Sequence, residues 1–393
     1  MKMKYMLFLA LALMLCLTAG GAMAAIQVNG IDALPDENGC IYIDEQSVKV
    51  SGSGENVFIV VKENVSQLYI ENLIVTAPAG YHALDIQSDN ITLIAKGNNT
   101  LTAGNGECDG IFAAGSITIR GSLTTNGGYC ENTNYGGRGI WAESVVTIAE
   151  DAVVVANGGS CAGKYGNDAI YAYDRIIVNG KVTANGGHSN AKDGDGGEGL
   201  DANEIIINGT ATVTAGNALN SDGEGGKGLD GNKIVINGTA TVNGGKGTCY
   251  GGNGIKANES VQVSGMLTTV GGADSGSGTS EDDYLKFGAG IYCEGTVTIA
   301  GDVEAAAGND RQAAIVSDEL KLNNQVGCES ADKQNWVETL RNTLRYFSTK
   351  EPVVQIPETL PETGDNSNVI LWSALVFISL LGMMALVCKR KEA

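Results

Sequence analysis

Histidine occurs twice in the 393 residues, proline five times and tryptophan three times. Few histidines remove the commonest general base and metal ligand. His82 stands outside the regular pattern described below and His188 lies in a glycine-rich loop, so neither completes a set of nucleophile, base and orienter. No Cys-x-x-Cys occurs, which speaks against a zinc site. Basic residues are also short, 25 Lys and Arg against 45 Asp and Glu, for a net charge of −20. A phosphate backbone needs clustered Lys and Arg, so nucleic acid is excluded as a partner. The middle of the chain has no helical period and too little leucine for leucine-rich repeats. Glycine, by contrast, is abundant at 56 residues, without a collagen-like period.

The two ends differ from the rest. Lys2 and Lys4 precede an apolar run to about Leu17, and Ala22-Met23-Ala24 follows. Basic start, apolar middle and small-residue site make a secretory signal peptide, cleaved before Ala25. At the other end Val369 to Cys388 is an apolar run of about 20 residues, enough to span a bilayer. Lys389, Arg390 and Lys391 follow it and stay cytoplasmic, which puts the bulk of the chain outside. Alone, these features describe a single-pass membrane protein.

Just before the span stands Leu360-Pro361-Glu362-Thr363-Gly364. Pentapeptide, span and basic tail, in this order, resemble the LPXTG sorting signal of Gram-positive cell-wall surface proteins. The resemblance covers about the last 35 residues. It implies that a sortase cuts between Thr363 and Gly364 and joins Thr363 to a peptidoglycan precursor. The membrane is then only a transient station, and the location is the extracellular face of the wall. Processing at both ends removes five basic and two acidic side chains, leaving a net charge of roughly −23.

Between the ends the chain repeats itself. Gly110-Ile111-Phe112-Ala113 returns as Gly139-Ile140-Trp141-Ala142 and Ala169-Ile170-Tyr171-Ala172. It continues as Gly199-Leu200-Asp201-Ala202, Gly228-Leu229-Asp230-Gly231, Gly254-Ile255-Lys256-Ala257 and Gly290-Ile291-Tyr292-Cys293. Each is followed by a second short strand, a turn such as Asn208-Gly209, and a third strand. The period is about 29 residues. A propeller blade would need about 40 residues and an immunoglobulin-like domain about 100. The expected fold class is therefore all-β: a single-stranded parallel β-helix with three short strands per coil. Some 10 or 11 coils, about 4.8 Å apart, would make a stack near 50 Å long. Alternate Ile and Val point inward, and glycine serves corners of positive φ.

Trp336, Leu340, Leu344 and Phe347 recur at helical spacing and predict a short helix over the C-terminal end of the stack. The organisation is then signal peptide 1–24, β-helix 25–325, capping-helix region 326–348, linker 349–359 and sorting signal 360–364. Residues 365–393 form the transmembrane helix and basic tail removed on sorting.

Function is to be sought on the outside. In each leading strand the residue after Ile or Leu points out and stacks on its copies: Phe112, Trp141, Tyr171, Asp201, Asp230, Lys256, Tyr292. Phe112, Trp141, Tyr171 and Tyr292 are the candidate glycan contacts, three of them in a ladder with rings near about 4.8 Å apart. Covering loops, or a purely stiffening role, are the alternatives. The loops that enter the leading strands carry Asp193, Asp195, Glu198, Asp222 and Glu224, beside Asp201 and Asp230. Their oxygens suit Ca²⁺, although no EF-hand or nonapeptide calcium repeat occurs and no cofactor is required. A solvated acidic loop is the plainer account. Of seven cysteines left after processing, one or more stays unpaired, and Cys130 and Cys161 occupy matching loops where a disulfide could form.

The fold resembles secreted pectate lyases and polygalacturonases, but their paired-aspartate, Gly-His-Gly and Arg-Ile-Lys segments are missing, so no catalytic residue is assigned and no enzyme is expected. Over roughly residues 40 to 325 the repeat shape also resembles the glycine-rich, β-helical carbohydrate-binding domains of clostridial surface proteins. That resemblance implies non-catalytic binding of a polysaccharide. The alternatives are a structural or adhesive surface protein that contacts host or neighbouring-cell protein, and an unrecognised polysaccharide lyase or hydrolase.

Overall fold

The computed structural model describes residues 25–220, 222–275, 287–309, 312–322, 325–326 and 343–346. The chain divides into two compact units, Met1–Ser348 and Thr349–Ala393, and every described residue belongs to the first. The predicted signal peptide, linker, sorting signal and transmembrane helix lie outside the described residues, as does most of the predicted capping helix. Among the described residues no helix is long and apolar enough to cross a membrane.

The described chain is all β, a parallel β-solenoid of about nine turns. Each turn contributes to three faces. The first carries Leu84–Ile86, Ile111–Ala113 and Ile140–Ala142, then the opening residues of Ile170–Val178, Leu200–Ile207, Leu229–Ile236, Ile255–Val263, Ile291–Ile299 and Ile315–Leu322. The later residues of those long strands make the second face. The third is built from Val153–Asn157, Lys181–Asn185, Thr210–Thr214, Thr239–Asn243, Met266–Val270 and Asp302–Ala306.

Strict alternation produces this. A strand sends successive side chains to opposite sides, so an apolar residue at every second position faces the interior. Pairing in register then lays like on like: Ile140, Ile170, Leu200, Leu229, Ile255, Ile291 and Ile315 form one column, all fully buried. Each such side chain contributes roughly 1.5–3 kcal/mol relative to exposure. Asparagines stack along one corner as the core does inside, Asn208 Nδ2 donating to Asn179 Oδ1 and Asn237 Nδ2 to Asn208 Oδ1, both at 2.8 Å.

Three expectations change. The Asn-Gly corners were expected to need positive φ, but Gly180, Gly209 and Gly238 are absent from the positive-φ glycines. Close approach is the reason for glycine there: a Cβ on Gly209 would meet the carbonyl oxygen of Gly180 one coil away. The turns number about nine, against the 10 or 11 expected, with Cys40–Ile43 and Phe58–Val61 pairing parallel below Leu84–Ile86. Gln27–Val28 pairs antiparallel with both Ile31–Asp32 and Val48–Glu55.

At the other end Thr343–Tyr346 is a strand, inside the segment predicted to be the capping helix, and pairs antiparallel with Asp302–Ala306. An open parallel edge presents unpaired N–H and C=O groups, which a strand satisfies and a helix does not. Gln325–Val326 closes the end of Ile315–Leu322 in the same way.

Candidate functional site

The outward column of the first face is in register as the repeat predicts. Asp85, Phe112, Trp141, Tyr171, Asp201, Asp230, Lys256 and Tyr292 are successive partners, each half-buried between fully buried neighbours. Two further columns accompany it at fixed offsets. Three residues earlier stand Arg138, Asp168, Glu198 and Lys227, and six earlier Tyr135, Tyr165, Asp195, Glu224 and Tyr250. The edge is therefore aromatic at two levels, acidic at the next two, and mixed beyond.

The aromatic rings follow one another along the column, but they meet edge-to-face and at unequal spacing. Phe112 and Trp141 meet edge-to-face, centroids 4.9 Å apart at 76°, and Trp141 meets Tyr171 at 6.5 Å and 79°. Edge-to-face contact lets a positive ring edge meet a negative face, which a sandwich at coil spacing would forgo. His82 stacks on Phe112 at 5.2 Å, its Nδ1 accepting the Asp109 N–H at 2.8 Å. Arg138 lies over both neighbouring rings, 4.6 Å from the centroid of Trp141 and 4.5 Å from that of Tyr171. Its Nε donates to Asp168 Oδ2 at 3.4 Å. The chain's own guanidinium thus covers ring faces that a sugar would use. Tyr292 stands apart, separated from Tyr171 by Asp201, Asp230 and Lys256, and its hydroxyl donates to Glu294 Oε1 at 3.4 Å.

Parallel stacking occurs instead at the corner. Tyr135 and Tyr165 pair at 5.1 Å and 27°, and Tyr250 and Phe287 at 4.4 Å and 18°. At the same corner Cys130 and Cys161 are joined in a disulfide across neighbouring coils, while Cys40, Cys108, Cys249 and Cys293 are free.

The acidic levels hold a charge network. Glu198 pairs with Lys227 at 3.1 Å and Asp230 with Lys256 at 3.5 Å. Asp168 is held well above the usual carboxylate range by burial, with the charge of Glu198 adding to it. Burial works to raise Glu198 too, but Lys227 and the hydrogen bonds from Asp168 and Lys227 outweigh it and hold it low. Asp201 is pushed up to about 7 by burial, then by the charges of Glu198 and Asp230, with Arg138 and Lys227 opposing. No ion pair reaches Asp201 among the described residues.

Asp201 opens onto a groove of about 270 Å³ lined by Tyr171, Tyr173, Asp201, Asn203, Asp230, Asn232 and Asn258. Tyr173 at its end is 60% exposed. The asparagines form a ladder, Asn203 Nδ2 donating to the Tyr173 carbonyl at 2.8 Å, Asn232 Nδ2 to Asn203 Oδ1 at 3.1 Å and Asn258 Nδ2 to Asn232 Oδ1 at 2.7 Å. Sequence reasoning named Tyr171 but not Tyr173, Asn203, Asn232 or Asn258. They lie two residues beyond the outward column and were findable by sliding the same alignment along.

The seven carboxylates considered for Ca²⁺ are not gathered. Among the described residues no group of three or more His, Cys, Asp or Glu is arranged to hold a metal ion. Asp195 Oδ1 accepts the Glu224 N–H at 2.8 Å, Glu198 and Asp230 face lysines, and Asp193 and Asp222 sit exposed on turns with φ of 56° and 66°.

Residues 352–393 match the family model for the LPXTG cell wall anchor motif. No curated protein and no solved structure matches the chain.

Proposed function

We propose that this cell-wall-anchored surface protein, which the sorting motif commits to sortase processing and attachment to peptidoglycan, binds polysaccharide without chemical turnover. The observation that carries the reading is the groove on the first face. Tyrosine rings at one end, carboxylates along the floor and an asparagine ladder on the side supply what a sugar chain needs: apolar faces and fixed hydrogen-bonding groups. Of the four aromatic contacts expected, Tyr171 lines this groove, whereas the ring faces of Trp141 and Tyr171 are shared with Arg138. That covering favours the rival reading, in which the upper aromatics stiffen a structural or adhesive stalk.

A binding isotherm of residues 25–363 on soluble and insoluble polysaccharides, with calcium and with chelator, separates these. Saturable binding that weakens roughly tenfold in the Tyr171→Ala, Tyr173→Ala variant, about 1.4 kcal/mol, is expected. Loss with chelator would restore calcium to the site. Release of new reducing ends would replace binding by cleavage, hydrolytic or eliminative. If no polysaccharide binds the folded protein, the structural and adhesive reading stands ahead.

A further inference from the structure

The third face shows a different organisation. Its register from Lys181–Asn185 through Thr210–Thr214 and Thr239–Asn243 to Met266–Val270 runs without a shift. The first and second faces, by contrast, share strands that shift register between Ala172 and Arg175, Gly231 and Lys233, and Cys293 and Thr296. Along the centre of the third face Thr183, Thr212, Thr241 and Thr268 stack on four consecutive coils. Thr210 and Thr239 flank them on one side and Thr214 on the other. None of these seven hydroxyls has a hydrogen-bond partner among the described residues. Between the inward apolar positions they face solvent, Thr210, Thr212, Thr214, Thr239 and Thr241 being exposed.

Charge is nearly missing as well. In the three outward rows from the level of Ser122 to that of Met266, Lys181 is the one charged side chain, in a chain of net charge −20. No aromatic ring stands in those rows.

We propose that this threonine face binds the surface of an ice crystal. The argument is one of spacing and chemistry. Tetrahedral water joined by O–H···O bonds of about 2.7–2.8 Å places second-neighbour oxygens about 4.5 Å apart. The coils repeat at about 4.8 Å, and threonines two apart along a strand at about 6.6 Å. A threonine side chain is stiff at χ1, so each copy offers its methyl and hydroxyl in a repeating setting. The methyls deny inward bonds to the first water layer, and the hydroxyls enter its network at lattice intervals. Charged groups, which orient water radially, are almost absent from the array. Other occupants fit less well. A sugar sheet would find no ring to stack on. A second copy would bury roughly 400 Å² on this face, about half of what each partner in a stable complex contributes. A crystal surface is flat and continuous, so the whole array meets it at once, and copies anchored on one wall would add their contacts.

The test is incorporation of residues 25–363 into slowly growing ice, together with the shape and growth arrest of single crystals. The parent protein is expected to enter ice and facet the crystals. Thr212→Lys with Thr241→Lys should abolish both effects at an unchanged melting midpoint, since both positions are exposed. Lys181→Thr, which lengthens the array, should strengthen them. The groove variant Tyr171→Ala, Tyr173→Ala should leave them untouched, so failure here and failure of the polysaccharide reading are separate results. Exclusion of the parent from ice would overturn the proposal, as would full incorporation of the double lysine variant. So would retention on an insoluble uncharged polysaccharide that the double lysine variant alone loses.

Discussion

The first and third faces are made by the same coils over the same core, and they use the repeat in opposite ways. On the first, the outward position changes from Phe112 to Trp141, Tyr171, Asp201, Asp230 and Lys256, and the strands shift register beside it. On the third, the outward position stays threonine from Thr183 to Thr268 and the register holds. The coil fixes only where a side chain points and how far it is from its copies. Variation then makes a groove that is different at each level, and sameness makes a lattice. Both faces depend on the buried columns between them, which is where the comparison is most easily broken.

Ile205 has no exposed surface and lies on the second face, between the other two. Ile205→Ala should cost about 2–5 kcal/mol, the lost transfer energy plus a cavity in a packed interior. Denaturant unfolding followed by a probe on each face should show both lost together at a lower midpoint. Two midpoints would mean that the faces fold independently, and the shared-core argument would fail.

A smaller effect separates the faces by pH. Asp201 has its affinity for protons raised on folding, from an ordinary carboxylate value to about 7. Between those values the folded chain holds a proton that the unfolded chain releases, so stability falls as pH rises across the window. Asp168, also raised by burial, acts with the same sign. Asp201→Asn should flatten the decline of the melting midpoint from pH 5 to 8 and raise the midpoint at pH 8. Thr212→Val, on the third face and away from Asp201, should leave the slope as it is. An Asp201→Asn profile parallel to that of the parent would show that the carboxylate is not strained in the fold.

How much of this was legible depends on range. The column from Phe112 to Tyr292 could be read because it follows from period and alternation, both local in sequence. Arg138 over Trp141 and Tyr171 could not, since it needs the separation between two columns three residues apart and the competition of rings for one cation. The strand at Thr343–Tyr346 was misread as helix for a related reason. Trp336, Leu340, Leu344 and Phe347 have helical spacing, but the open edge of Asp302–Ala306 is a demand from elsewhere in the chain. The acidic residues stand on adjacent coils as the repeat implies, but Glu198 and Asp230 face lysines and Asp195 accepts a backbone N–H, which a list of acidic residues does not reveal.

Arg138 offers the sharpest small test of the two faces. Its guanidinium joins three partners on the first face, Trp141, Tyr171 and Asp168. Arg138→Ala should cost about 1–2 kcal/mol, the value of a partly desolvated cation over aromatic rings. Thr212→Val, which removes a hydroxyl that nothing else in the described chain holds, should stay within about 0.5 kcal/mol. Function should divide the other way. Removing Arg138 uncovers two ring faces, so polysaccharide affinity should rise as stability falls, whereas Thr212→Val leaves stability alone and weakens the grip on ice. If Arg138→Ala lowered both stability and affinity, the cation would belong to the binding site itself, and the upper aromatics would bind only through it.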